Sequence, residues 1–234
     1  MKQLLILLFA LALALVTGRL ALEIPAVQDA LLSRGAASMA MQGDRIQAGE
    51  DSLRVYVCGS ASPLGMGQAQ ACIAVVTPDH FYLIDSGAGS TENINRLRLP
   101  TGRLQGLLLT HFHSDHIAEI YEVNLGSWVN ARPAPLIVYG PEGVREVVKA
   151  VNEGYRMDRL HRVAHHGEAL LAPELGVLAA QPIAAGEVLQ DGDLKITAYM
   201  AEHPPIHPAV GYRIDYRGRS VIVSGDSNVS AKTI

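Results

Sequence analysis

Four potential metal ligands lie within six residues of the sequence, between an apolar run and a segment with helical character; they are His111, His113, Asp115 and His116. Imidazole and carboxylate groups are the side chains that suit zinc and similar divalent metals. Ligands on a short rigid turn lose little conformational freedom when a metal binds. The pattern therefore predicts half of a metal site at a strand-to-helix junction.

The spacing of these residues predicts how they divide between metals. His111 and His113 are two residues apart at the end of an extended segment, so both side chains can point to one side and chelate one ion. Asp115 and His116 follow at the first helical positions and would face a neighbouring ion. Two metals roughly 3.5–4 Å apart can hold both the attacking and the leaving oxygen of a displacement reaction. A hydrolytic centre is the chemistry that this turn favours.

The run His111-Phe112-His113-Ser114-Asp115-His116 resembles the HxHxDH signature of the metallo-β-lactamase fold superfamily. The surrounding sequence is similar to the branch that contains ribonuclease Z and arylsulfatase-like proteins. The resemblance extends from Leu53 to Asp226. It implies an α/β fold, the αββα sandwich of that superfamily.

The resemblance also implies the rest of the metal site. Asp85 matches an aspartate that supports the metal-binding turn through hydrogen bonds, and Asp226 matches a carboxylate that bridges two metals. His203, after the predicted strand Leu194 to Tyr199, matches the histidine that completes the first metal's triad, and His207 is the alternative. The implied cofactor is Zn²⁺, as one or two ions, with Mn²⁺ or Fe as alternatives.

The activity that the resemblance implies is hydrolysis by a metal-activated hydroxide that attacks a phosphorus, sulfur or acyl centre. Asp115 would orient that nucleophile or take its proton, and His207, if it is not a ligand, would act on the leaving group. The predicted substrate is a small ester, such as an aryl sulfate or a phosphodiester. Ribonuclease Z-type processing of the tRNA 3′ end and a catalytically inactive metal-binding fragment are the alternatives.

Length and charge predict a single domain without a strong preference for nucleic acid. The 234 residues are 49% hydrophobic, which is enough for one sizeable core. The net charge of −4 gives no electrostatic reason to expect nucleic acid as a partner. Arg156, Arg159 and Arg162 form a local basic cluster, which we interpret as a solvated helix face in the otherwise polar, turn-like segment from Tyr155 to Ala172. The sequence does not distinguish a monomer from a homodimer.

The N-terminal sequence is typical of an export signal. Lys2 precedes an apolar run from Leu4 to Val16, which is shorter than the about 20 residues that a spanning helix needs. We predict a signal peptide or anchor at residues 1–21, an extension with one helix at 22–52, and the metallo-β-lactamase fold at 53–234. The expected location is periplasmic or secreted, with membrane contact only through the first segment.

No histidine follows Asp226, although the superfamily pattern places one more metal ligand farther along the chain. The resemblance therefore predicts a domain that is truncated at its C-terminus. The second half of the sandwich would then be incomplete, and the second metal would be one ligand short.

Cys58 and Cys72 are the only cysteines, and both lie in predicted strands. In an oxidising compartment, neighbouring strands could bring them together as a disulfide. The sequence does not show that their Cβ vectors face each other, so we predict two buried free thiols.

Overall fold

The computed structural model describes residues 17–21, 23–28, 30–31, 51–65 and 67–229. The chain divides into two compact units, Met1–Gln42 and Gly43–Ile234. Residues 17–21, 25–28 and 30–31 of the first unit are helical, and no helix in the described ranges is long and apolar enough to span a membrane. The apolar run from Leu4 to Val16 and most of the predicted extension lie outside those ranges. The export signal and the domain boundaries therefore remain predictions.

Two sheets form the second unit. The first sheet has the strand order β1-β2-β3-β4-β5-β6, with β1 Arg54–Gly59, β2 Cys72–Val76, β3 Phe81–Ile84, β4 Gly106–Leu108, β5 Ile137–Gly140 and β6 Ala179–Pro182. The second sheet has the order β10-β9-β8-β7, with β7 Gly186–Asp191, β8 Leu194–Met200, β9 Val210–Tyr216 and β10 Arg219–Val223. Strands β1 to β3 pair antiparallel, whereas β3 to β6 run parallel.

The described helices of this unit are Ser90–Arg96, Ser114–Ile117, Ile120–Val129, Val144–Gly154 and Arg156–His166. A single helix after the metal-binding turn is the expectation from the sequence, but the structure breaks it at Glu119. The backbone N–H of Glu119 donates to the carbonyl of Ser86 at 2.8 Å, and this tertiary bond replaces the helical one. The turn-like reading of Tyr155 to Ala172 is also wrong, because the chain is helical as far as His166.

Two hydrophobic clusters cover the two faces of the first sheet. Leu107 faces the helices and packs in the same cluster as Val148, whereas its neighbour Leu108 faces the second sheet and packs with Ile196 and Tyr212. Successive residues of a strand point to opposite faces, so a central strand with two buried faces is apolar throughout. The layers are helix, sheet and sheet, which confirms the predicted α/β class. The far face of the second sheet is exposed at residues such as Ile222.

The prediction of free thiols is wrong, because Cys58 and Cys72 form a disulfide between β1 and β2. The pairing of these strands shifts between Val57 and Gly59, so a bulge brings Cys58 to face Cys72. Their Cα atoms are 5.0 Å apart, which is an ordinary separation for a bridge. The bond closes the Gly-rich loop that follows β1.

Replacing both cysteines with serine should lower the free energy of unfolding by about 2–3 kcal/mol, since the unfolded chain regains the freedom of the closed loop. Urea denaturation followed by Trp128 fluorescence measures this loss. A reducing agent should destabilise the unchanged protein to the same extent and have no effect on the double variant. Equal sensitivity of both proteins to the reducing agent would contradict a structural role for the bond.

Candidate metal centre

Asp85, at the end of β3, holds the metal-binding turn in place. Its carboxylate accepts hydrogen bonds from the backbone N–H and the hydroxyl of Thr110, each at 2.8 Å, and lies 2.8 Å from Nδ1 of His116. Asp85 is only 3% exposed and has a φ of 59°, a left-handed conformation that costs about 1–3 kcal/mol in most residues other than glycine. The three contacts offset the cost of burying this strained carboxylate.

The second sheet holds the other side of the same turn. The backbone N–H of Val210 donates to the carbonyl of Thr110 at 2.9 Å, and the hydroxyl of Tyr212 donates to the carbonyl of Leu109 at 2.6 Å. Burial and the nearby charge of Asp85 raise the pKa of Tyr212 well above its usual value, so its phenol stays a donor. The turn is thus attached to both sheets.

Glu119 fixes the loop that follows Asp85. Its carboxylate accepts hydrogen bonds from the backbone N–H groups of Gly89 and Thr91 and from the hydroxyl of Ser90. Burial alone would raise the pKa of Glu119, but the hydrogen bonds outweigh that effect and lower it. A Cβ on Gly87 in this loop would lie 2.0 Å from the carbonyl oxygen of Asp115, so the loop packs directly on the turn.

Three imidazoles converge on one point. The candidate ligand atoms of His111, His113 and His203 all lie within 4.8 Å of one another. His111 Nε2 is 3.0 Å from His113 Nδ1, and two nitrogens bound tetrahedrally to zinc are about 3.3 Å apart. His203 comes from the loop after β8, and its ring centroid is 4.9 Å from that of His111. These rings are already close to the separation that a shared ion requires.

A second group adjoins the first. The candidate ligand atoms of His111, His116 and Asp226 also lie within 4.8 Å of one another, so His111 belongs to both groups. His116 Nε2 is 3.5 Å from an oxygen of Asp226 and 3.6 Å from an oxygen of Asp115. The structure therefore brings together all six predicted ligands, including His203. It leaves His207 exposed and outside both groups.

The loops that carry His203 and Asp226 are bonded to each other. Within them, the backbone N–H of Asn228 donates to the carbonyl of Glu202 at 2.7 Å. Gly225 has a φ of 61°, and a Cβ there would lie 2.9 Å from the Cβ of Thr110. The loop of Asp226 can therefore approach the turn closely only because a glycine stands at this position.

The donor set fits a divalent metal. His203 Nε2 and Asp115 Oδ1 are buried and have no hydrogen-bond partner in the part of the chain that the structure describes. A buried polar atom without a partner costs about 1–3 kcal/mol, so both atoms favour a ligand. Burial and the neighbouring imidazoles lower the pKa of His111 to about 4, which leaves its ring neutral and able to donate a lone pair at neutral pH.

The pKa of His116 shifts in the opposite direction to that of His111. Burial acts to lower the pKa of His116, but the hydrogen bond and the charge of Asp85 outweigh it and raise that pKa. The contact of Nδ1 with Asp85 leaves Nε2 facing Asp226 and Asp115. A carboxylate on the far nitrogen is the usual way in which proteins orient a metal-binding imidazole.

The comparison with protein families decides what kind of protein carries this centre. The model of the metallo-beta-lactamase superfamily matches residues 66–234. The chain belongs to the metallo-β-lactamase superfamily. It is therefore a metallo-hydrolase by fold, and the recognition of the superfamily from the sequence is confirmed.

Relatives of this superfamily member are named ribonuclease Z. The protein from Mycobacterium bovis (strain BCG / Pasteur 1173P2) is 33% identical over 179 residues, which cover 75% of this chain and 63% of that protein. The protein from Mycobacterium marinum (strain ATCC BAA-535 / M) is 31% identical over 179 residues, with the same coverage of 75% and 63%. The chain thus spans less than two thirds of these relatives. The resemblance to ribonuclease Z is confirmed, and the arylsulfatase-like resemblance stays a prediction.

Solved structures of low sequence identity share the fold. YhfI from Bacillus subtilis, a metallo-beta-lactamase fold protein, has a TM-score of 0.60 and 19% identity, with 78% of this chain and 65% of that chain covered. The short form of human tRNase Z has a TM-score of 0.58 and 18% identity, with coverage of 76% and 71%. These likenesses support the α/β architecture of the superfamily member.

His203→Ala should weaken zinc binding by about 100-fold or more, because it removes an imidazole that converges with two others. His207→Ala should leave the affinity within about twofold, because His207 lies outside both ligand groups. Competition with a chromophoric zinc chelator measures both affinities. The assignment of His203 as a zinc ligand is wrong if both variants lose zinc affinity equally or if His207→Ala loses more of it.

Asp85→Asn should weaken zinc binding by about 10–100-fold, since the amide keeps the shape of the side chain but removes the charge that orients His116. Asp215→Asn is the matched control, because Asp215 pairs with Arg213 through a half-exposed contact on the second sheet. The same chelator competition applies. Unchanged zinc affinity in Asp85→Asn would show that the carboxylate does not support the metal-binding turn.

Proposed function

We propose that the chain is a metal-dependent hydrolase that cleaves phosphodiester bonds. The observation that carries this proposal is the convergence of the two ligand groups, which share His111. The relatives named ribonuclease Z favour a phosphodiester among the esters that the sequence predicts. Zinc is the proposed metal, as one or two ions, because it suits a site rich in imidazole.

A metal in this centre would polarise the phosphoryl oxygen and lower the pKa of a water molecule. The protein supplies orientation and proton transfer. Asp115 is buried beside His116 and has one oxygen without a partner, so it orients the attacking water and takes up its proton. His207, which is exposed on the loop that carries His203, is the proposed proton donor to the leaving oxygen.

The proposed substrate is a small phosphodiester outside the cytoplasm. The Cys58–Cys72 disulfide supports an exported location, since disulfides persist in oxidising compartments. The net charge of −4 also favours a small substrate over a nucleic acid. Processing of the tRNA 3′ end is the second candidate, and the name of the relatives favours it. The chain spans 63% of the first of these relatives. That it has the complete activity of these relatives is therefore a proposal.

The zinc-loaded protein should hydrolyse bis(4-nitrophenyl) phosphate, and His113→Ala should lower kcat/KM by about 100-fold or more, because it removes a group that holds the metal. His161→Ala, on the exposed helix Arg156–His166, is the matched control and should keep its activity. Release of 4-nitrophenolate measures both rates.

Two further substrates separate the alternatives. Cleavage of a precursor tRNA at its 3′ trailer, with slow turnover of the small diester, would reverse the choice between the two candidates. Faster hydrolysis of 4-nitrophenyl sulfate than of the phosphodiester would contradict the proposed bond type. Absence of turnover with either zinc or manganese would favour the inactive metal-binding protein.

A further inference from the structure

A cavity of about 450 Å³ lies between the helices Val144–Gly154 and Arg156–His166 and the beginning of β6. We call it the basic cavity. Strand β6 runs parallel to β3, β4 and β5, and Val177 and Leu178 line the cavity just before β6 begins. Asp85, which supports the metal-binding turn, and the candidate ligand His111 instead follow the carboxyl ends of β3 and β4. The basic cavity and the metal centre are therefore at opposite ends of the sheet.

Cationic side chains dominate the rim of the basic cavity. Arg145, Lys149, Arg156 and Arg159 line it, together with a single acidic residue, Glu153. None of these four cations forms an ion pair with another residue in the described ranges. Arg145 and Lys149 are one helical turn apart, and like charges at this spacing destabilise a helix. Glu153 offsets one of the four positive charges, and the remaining positive charge of the lining creates a local positive potential in a chain of net charge −4.

Arg159 is fixed at the wall of the basic cavity. Its Nη2 donates to the carbonyl of Asn152 at 2.8 Å, whereas its Nη1 is buried and has no acceptor among the described residues. Because a buried nitrogen does not reach a ligand in an open cavity, Arg159 contributes positive charge to the wall and not a direct contact.

The wall of the basic cavity is preformed. Asn152 donates its side-chain amide to the carbonyl of Leu178 at 3.0 Å and accepts the backbone N–H of Leu178 at 3.1 Å. This double contact fixes the end of one helix to the beginning of β6. Val177, which is 42% exposed, gives the wall an apolar surface beside the cations.

We propose that the basic cavity binds a small phosphorylated molecule. The exposed Arg145 and Lys149 hold the phosphate, and Val177 packs against a flat ring. The volume is in the range of small-molecule sites, and a mononucleotide has the required combination of an anion and a ring. None of the lining residues belongs to the metal centre, so the site is independent of the proposed hydrolase function.

Calorimetric titration of the zinc-loaded protein with AMP, adenosine and inorganic phosphate tests this site. AMP should bind at least about tenfold more tightly than adenosine, because the cations recognise the phosphate. The double variant Arg145→Gln/Lys149→Gln, which changes two exposed side chains, should weaken AMP binding by at least about tenfold. Arg213→Gln, a surface arginine paired with Asp215, is the matched control and should bind AMP normally.

The rate of diester hydrolysis separates this site from the metal centre. The double variant should hydrolyse bis(4-nitrophenyl) phosphate within about twofold of the unchanged protein. Unchanged AMP binding in the double variant, or an equal loss in Arg213→Gln, would overturn the proposal. Binding of a single-stranded oligonucleotide without binding of AMP would also overturn it. If neither the unchanged protein nor the variants hydrolyse the diester, the proposed function fails. The comparison of AMP affinities still tests whether the basic cavity binds a phosphorylated molecule.

Discussion

The structure of the metal centre depends on the buried carboxylate of Asp85. A charge in this position is unfavourable unless several groups compensate it, and Thr110 and His116 do so. These two residues lie on either side of the ligand-bearing turn. The same contacts that satisfy the carboxylate therefore fix the direction of His116 and the start of the turn. Loss of this interaction would release one end of β4 and the first helical residues after it.

The two-sheet architecture explains why the other ligands reach the same place. The parallel strands β3 and β4 deliver their carboxyl ends to one edge of the first sheet. Loops after β8 and β10 bring His203 and Asp226 from the second sheet to that edge. Tyr212 connects the layers through its bond to the carbonyl of Leu109. Hydrophobic packing between the sheets thus places ligands that are far apart in the sequence within a few ångströms.

The sequence predicts the features that depend on local order. Continuous apolar runs identify β2, β3 and β4, and the close spacing of His111, His113 and His116 identifies the turn. The partners of Asp85 and Glu119 are 25 to 31 residues away, so no local pattern shows them. For that reason Thr110 and Glu119 are absent from the predicted site.

Other features are beyond local reasoning because tertiary contacts decide them. The disulfide depends on a bulge in β1, and the break at Glu119 depends on a bond to Ser86. The choice of His203 over His207 depends on the path of the loop after β8. The sequence predicts that the arginines at 156, 159 and 162 form a solvated helix face. In the structure, two of them line a cavity together with Arg145 and Lys149.

A crystal structure of the zinc-loaded protein, with anomalous scattering recorded at the zinc absorption edge, tests the central claim most directly. The account predicts an anomalous peak about 2.0–2.1 Å from the ligand nitrogens of His111, His113 and His203. A second peak beside His116 and Asp226 would show a dinuclear centre. Zinc bound only elsewhere, or no peak among these histidines at saturating zinc, would contradict the assignment of this cluster as the metal centre.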